Sequence, residues 1–257
     1  MKILITGHKG FIGQNAMKYF SDHDITTYEY DDGPFKINLE PFQKVLHFGA
    51  ISSTTETNVE KIMRQNYDFT CNLIDECVYQ GLDLQISSSA SIYGLRKEFK
   101  ETSPVDPRTP YAWSKYMIEK YLERISTGIS YIQMFRYFNV YGPHEEHKGS
   151  QASPCCQFER QAKTIGKIKV FENSDQYFRD FIHVSEVLEV QKKFLNVRES
   201  GVWNVGTGTC KSFLEIAQEA SSKYNVPIEE IPMPENLKHS YQTYTCADLT
   251  KLKATIG

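Results

Sequence analysis

The first half of the chain alternates short, unbroken apolar runs with stretches whose apolar residues recur every three or four positions. "KILIT" (Lys2 to Thr6), "ITTYEY" (Ile25 to Tyr30), "KVLHFGA" (Lys44 to Ala50), "LDLQISSS" (Leu82 to Ser89) and "ISYIQMFRYFNV" (Ile129 to Val140) read as strands. The most apolar of them lack a polar alternate, as expected of strands buried on both faces. Between them, "FIGQNAMKYFSDH" reads as a helix, and Val59 to Tyr79 places Ile62, Tyr67, Phe69, Leu73, Ile74 and Cys77 along a core face. Pro110 opens a further helix, carrying Tyr111, because a first-turn residue needs no N–H partner. This alternation predicts an α/β, Rossmann-like, doubly wound parallel sheet.

Past Asn139 the pattern changes. "YGPHEEHKGSQASP" is a loop by its glycine, proline, serine and histidine content, followed by a helix from Cys156 to Ile165 and short strands. "RDFIHVSEVLEVQKKFL" reads as strand, cap near Ser185, and helix. "GVWNVGTG" is a strand with a glycine exit, and Ser212 to Tyr224 is the last clear helix. The expected division is a dinucleotide-binding domain over 1–143 plus 182–207, with a small interleaved substrate lobe over 144–181 plus 208–257.

Candidate chemistry begins at "KILITGHKGFIG", where Gly7, Gly10 and Gly13 join the first strand to the first helix. Glycines there let the backbone turn tightly, approach a diphosphate and pack helix on strand, while the helix N-terminus offers unpaired N–H groups. Glu29 and Asp31 fall about 20 residues later, where a carboxylate grips a ribose 2′-hydroxyl and favours NAD. Lys9 and Lys36 are placed to meet a 2′-phosphate instead, which leaves NADP open.

Three Tyr-x-x-x-Lys pairs follow: Tyr93 with Lys97, Tyr111 with Lys115, and Tyr116 with Lys120. A lysine four residues after a tyrosine shares its helical face, so its ammonium lowers the phenol's pKa and reaches the cofactor ribose. Tyr111 and Lys115 stand at the opening of a helix, whereas Tyr116 lies about 140° further round and Tyr93 sits in a loop context. Upstream, "SSS" ends a strand on its carboxyl side, where ligands bind in such sheets, and Ser89 is placed to hydrogen-bond the reacting oxygen. Tyr111, Lys115 and Ser89 are therefore the candidate catalytic set.

Composition narrows the class. The 257 residues carry a net charge of −3, which supplies no basic field for nucleic acid or anionic lipid. No apolar run approaches the roughly 18 to 20 residues of a membrane span, and "MKILITGHKG" meets a glycine too early for a secretory signal, so a cytoplasmic protein is expected. The six cysteines show no C-x-x-C pair and read as buried or idle thiols without a disulfide framework. His144 and His147 in "HEEH" lack further ligands, so no metal is expected.

Taken together with "HFGAISSTTE", "FRYFNVYGP", "HKGSQAS", "FENSDQYFRDF", "NVGTGTCKSF" and "YQTYTCADLTKLKA", these elements resemble the extended short-chain dehydrogenase/reductase family, and within it the ADP-heptose 6-epimerases. The similarity runs in order over nearly the whole chain. It implies inversion of a side-chain carbinol carbon of an ADP-activated heptose, by transient oxidation and re-reduction with a tightly bound NAD or NADP. It also implies a homo-oligomer. Phe11, Ile12, Gly49, Ala50, Ile51, Ser52, Asn66 and Val140 would touch the cofactor. Asn139, Ser150, Gln157, Phe171, Glu172, Ser174, Arg179 and Tyr241 would surround the sugar nucleotide, Arg179 on the diphosphate. Lys148 would be a second acid/base group. The chain departs from the family's pattern at Gln157, at Asn173 and between Gly33 and Lys44, where it is shorter. The other readings are a different nucleotide-sugar epimerase or reductase, and a non-catalytic dinucleotide-binding protein.

Overall fold

The computed structural model describes residues 1–30, 38–235 and 242–257. In chain order it runs β1 (Lys2–Thr6), α1 (Phe11–Tyr19), β2 (Asp24–Tyr28), β3 (Lys44–His47), α2 (Val59–Ile62) and α3 (Phe69–Tyr79), the two helices joined by a π-helical segment, Met63–Asp68. Then come β4 (Asp83–Ser89), α4 (Pro110–Leu122), β5 (Ile132–Tyr137), β6 (Asn139–Tyr141), α5 (Pro154–Ile165), β7 (Ile168–Phe171), β8 (Phe178–His183) and α6 (Val184–Phe194). The chain closes with β9 (Gly201–Val205), β10 (Cys210–Ser212), α7 (Phe213–Tyr224), β11 (Ile228–Ile231), β12 (Tyr244–Thr245) and α8 (Thr250–Ile256).

Six strands form a parallel sheet in the order β2-β1-β3-β4-β5-β9. The chain leaves β1 for β2 on one side and returns to β3 on the other, so the order reverses there and a crevice opens at the carboxyl ends of β1 and β3. Both faces are covered. On one, Leu4, Val45, Ile86 and Met134 meet Leu73, Ile74 and Ile118 of α3 and α4. On the other, Ile3, Ile5 and Leu46 meet Phe11, Ala16, Val184 and Leu188 of α1 and α6. Successive side chains of a strand point to opposite faces, which is why these strands lack a polar alternate.

A smaller sheet, β10-β8-β12 with β6 also on β8, sits beyond the carboxyl ends, and β7 pairs with β11 under α5 and α7. Several boundaries differ from the sequence reading. "ISYIQMFRYFNV" is two strands: β5 lies between β4 and β9, and after Phe138 the chain changes sheets so that β6 pairs with β8. The cap of α6 is His183, whose Nδ1 accepts the Ser185 N–H while Glu186 bonds back to the His183 N–H. A final helix, α8, follows the one read as last.

The cysteine reading is corrected as well. Cys210 and Cys246 form a disulfide, with Cα atoms 5.8 Å apart across a separation of 36 residues. The buried Asp180 explains the approach: its carboxylate accepts N–H bonds from Thr207 (2.8 Å), Gly208 (2.9 Å) and Ala247 (3.1 Å), drawing the two segments together. Cys71, Cys77, Cys155 and Cys156 remain free thiols.

The glycine loop is as tight as its sequence demands. Gly7 has φ +75°, and a Cβ there would lie 2.3 Å from Gly49 N; a Cβ at Gly13 would lie 2.1 Å from Gly7 O. Gly7→Ala is therefore expected to lower stability by roughly 2 kcal/mol or more, through strain at positive φ and a backbone clash. Thermal unfolding checks this; an unchanged midpoint would contradict the packing of this loop on the segment after β3.

Candidate active site

A cleft of about 480 Å³ opens at the carboxyl ends of β1, β4 and β5. Gly10, Phe11, Ile12 and Gly13 line one part, Ala50 and Ser52 another, and Ser89, Tyr111 and Lys115 stand beside them. Thr109 caps α4 by accepting the Ala112 N–H at 3.1 Å, and Pro110 fills its first turn, which fixes Tyr111 at the mouth of the cleft.

Tyr111 stands beside Ser89 across the gap between α4 and β4. Burial raises its phenol above the ordinary value, and the neighbouring Ser89 hydroxyl pulls the other way. Lys115, only 1% exposed, donates from Nζ to the Ser87 carbonyl at 2.7 Å. Burial lowers its ammonium to about 8, while the Glu119 carboxylate opposes that fall. The sequence reading had Lys115 depressing the phenol. Burial wins at Tyr111, and the Lys115 ammonium is engaged with the strand. The other two tyrosine pairs serve structure. Tyr93 is buried, accepting from Arg136 Nη1 and donating to Asn204 Oδ1, both at 2.8 Å. Tyr116 packs near Phe99 and Phe138, with Lys120 paired to Glu123.

Asn66 lies behind the cleft, on the π-helical segment. Its Oδ1 accepts the Ile51 N–H at 2.8 Å, and its Nδ2 donates to Ile51 O and Ser114 Oγ. It holds the Gly49–Ser52 stretch in place; Gly49 itself packs against Gly7. Beneath, His47 is clasped between Thr6 Oγ1 (2.5 Å) and Thr70 Oγ1 (2.9 Å). Burial, aided by the neighbouring Lys115 charge, lowers it to about 3, so it is neutral.

Asn139, Val140, Lys148 and Arg179 line the same cleft. The loop carrying Lys148 is braced by buried Glu145, which accepts from Gly142 N (3.0 Å), Ser153 N (2.7 Å) and Ser153 Oγ (2.8 Å). The Lys148 Nζ stands 5.2 Å from the Phe11 ring centroid, and burial lowers its pKa. Arg179 is not an ion pair with Asp180, whose oxygens are filled by backbone N–H groups; its guanidinium stacks 5.3 Å from the Phe213 ring.

Phe213 also lines a second cavity of about 270 Å³, where Gln157, Phe171 and Ser174 gather. Gln157 donates there to Ala152 O at 2.7 Å. Ser150 is exposed on the loop, and Glu172 is tied to β11 through its N–H. Asp31, Lys36 and Tyr241 lie outside the described residues. The remaining carboxylate of that reading, Glu29, accepts the Lys9 N–H at 2.6 Å and faces His8 at 3.1 Å.

Sequence reading missed Tyr137, and placed Ser87 at the ligand-facing strand end without a role of its own. Both line the cleft; their hydroxyls lie near each other, and among the described residues neither reaches hydrogen-bond geometry with a partner. Ser91, Gln242 and Thr245 likewise present unpartnered polar atoms there. Buried polar atoms without partners are costly, so their clustering on one cleft marks a ligand surface. A usable signal was present at Ser87 and Tyr137: each shares a strand face with a residue already singled out, Ser89, or with its cross-strand neighbour.

Residues 3–206 match the model of the NAD dependent epimerase/dehydratase family. The chain belongs to that family. It is 35% identical over 98% of its length to ADP-L-glycero-D-manno-heptose-6-epimerase of Brachyspira hyodysenteriae, covering 91% of that relative. Among solved structures it resembles the Helicobacter pylori ADP-L-glycero-D-manno-heptose-6-epimerase, with a TM-score of 0.87, 25% identity, and coverage of 100% of this chain and 90% of that one. The fold is also that of a Stenotrophomonas maltophila UDP-glucose-4-epimerase with bound NAD, with a TM-score of 0.84, 22% identity, and coverage of 100% and 92%. Among the described residues no helix is long and apolar enough to cross a membrane, and no group of three or more His, Cys, Asp or Glu is placed to hold a metal ion.

Proposed function

We propose that this protein inverts C6 of ADP-D-glycero-D-manno-heptose, using a nicotinamide dinucleotide retained through each cycle. The observation that carries the reading is that two proton-transfer groups, Tyr111 and Lys148, line one cleft together with the glycine loop. An alcohol carbon remote from any carbonyl carries a hydrogen too weakly acidic for direct removal. A nicotinamide held at the glycine loop would supply the alternative, reversible hydride transfer at that carbon.

The chain fits such a group. The Gly7 and Gly13 contacts leave no room for side chains where a diphosphate approaches, and the unpartnered Ser87 and Tyr137 hydroxyls are suited to an amide. NAD is favoured over NADP by the Glu29 carboxylate at the end of β2, and tight retention by the enclosure between the loop and Lys148. Tyr111 takes the alcohol proton in one presentation of the substrate, with Lys115, one turn along α4, as the cation that favours its ionised form. Lys148 gives a proton to the carbonyl oxygen in the other presentation, after the ketone has turned. Its lowered pKa suits a group that must both hold and release a proton. Arg179 serves the diphosphate, since its planar fork donates parallel charge-assisted bonds. Ser91, Gln242 and Thr245 face the sugar hydroxyls, and the cavity of Phe171, Ser174 and Gln157 takes the nucleoside. On this reading 1–143 plus 182–207 hold the cofactor, and 144–181 plus 208–257 hold the substrate.

The test is incubation with ADP-D-glycero-D-manno-heptose and NMR of the product. Conversion to the L-glycero epimer supports the assignment; unchanged substrate beside retained dinucleotide overturns it.

A further inference from the structure

Helix α4 meets strand β4 at three points. Tyr111 lies beside Ser89, Lys115 Nζ reaches Ser87 O at 2.7 Å, and Glu119 Oε1 accepts Ser88 Oγ at 2.7 Å. Tyr111, Lys115 and Glu119 are spaced four residues apart, so they share one face of α4. The third contact buries a second charge one turn beyond Lys115: Glu119 is 3% exposed. Its carboxylate also takes the Arg136 fork, Nη2 to Oε2 at 2.6 Å and Nε to Oε1 at 3.1 Å, and Arg136 continues to Tyr93 at 2.8 Å. A buried ion pair contributes little net stability compared with apolar packing, so its stabilising effect alone is a weak reason for this arrangement.

We propose that Glu119 is a positioning residue for proton transfer: its carboxylate, one turn beyond Lys115, keeps that ammonium charged and sets the height of β4 against Tyr111. This deepens the proton-transfer reading above and rests on it. The groups around Lys115 are few. Glu119 acts from its own helix and His47 from β3, with His47 neutral. Tyr111 shares the helix face, Tyr137 of β5 lines the same cleft, and Arg136 of β5 stands behind Glu119. The charge opposing burial at Lys115 is thus the Glu119 carboxylate, and Arg136 holds that carboxylate in place without facing the cleft.

The sign follows. Lys115 is needed as a cation, so activity falls as pH rises through its value. Removing the Glu119 charge lowers that value and moves the alkaline limb of kcat to lower pH. In Glu119→Gln the limb is expected to shift down by about one pH unit or more. Ser88→Ala removes the strand contact while leaving the charge, and should lower kcat at every pH with the limb unmoved. Should Arg136 left unpaired prevent Glu119→Gln from folding, the double variant Glu119→Gln/Arg136→Met removes both charges, and a smaller shift in the same downward direction is expected, because Glu119 stands nearer Lys115 than Arg136 behind it. NMR titration of the Lys115 ammonium in the dinucleotide-bound protein reads the effect without turnover, so it distinguishes failure of this role from failure of the proposed reaction. A Lys115 midpoint unchanged in the folded Glu119 variants, or one displaced equally by Ser88→Ala, overturns the proposal.

Discussion

Tyr111→Phe is expected to lower turnover by about a thousandfold or more while the protein stays folded and keeps its dinucleotide. General acid–base groups contribute roughly 10² to 10⁴ in rate, and no neighbour can stand in here. Ser89, the other hydroxyl at the reacting position, has no basic partner that would let it take a proton; its oxygen accepts the Ser91 N–H at 3.2 Å. The ring itself remains, so the packing at the head of α4 is preserved, and only the phenol oxygen beside Ser89 is lost. Steady-state kinetics with a measurement of bound dinucleotide check this. A variant with wild-type turnover contradicts the assignment of Tyr111, and one that loses the dinucleotide shows that the phenol's role is structural.

Lys148→Met should be nearly as damaging, for a different reason. The methionine side chain keeps the apolar contact with Phe11 and removes only the proton carrier. If Tyr111 serves one presentation of the substrate and Lys148 the other, losing either blocks net inversion in both directions. The expected loss is again on the order of 10³ in turnover. The discriminating readout is partial reaction: Lys148→Met should still abstract from the epimer that Tyr111 serves, releasing traces of ketone without inverted product. Full inversion by this variant contradicts the two-group account.

Much of this was legible in the residues. The strands announce themselves because a sheet covered on both faces needs apolar residues on both, and "KILITGHKGFIG" is constrained at Gly7 and Gly13 by contacts too close for any side chain. Tyr111 and Lys115 could be separated from their two rival pairs by helical phase and by the serine-rich strand end. What stayed hidden depends on contacts distant in sequence. The switch of β6 from one sheet to another at Phe138 has no local breaker. The approach of Cys210 to Cys246 is set by Asp180, whose N–H partners come from segments 40 residues apart (247 − 207). Arg136 was a signal passed over: an arginine inside "IQMFRYF" must find a buried partner, and Glu119 is the acid that α4 turns toward that strand. Ser87 lay at the strand end already read as ligand-facing, whereas Tyr137 depends on the pairing of β5 with β4, which sets it opposite Ser89.

The most direct test of the central claim is the origin of the hydrogen at the inverted carbon. Epimerisation of ADP-D-glycero-D-manno-heptose in deuterated water, followed by mass spectrometry and NMR, should give the L-glycero product with protium at C6 and no solvent deuterium there. Stoichiometric deuterium at C6 would mean that a proton, not a hydride, leaves that carbon, and would contradict the account.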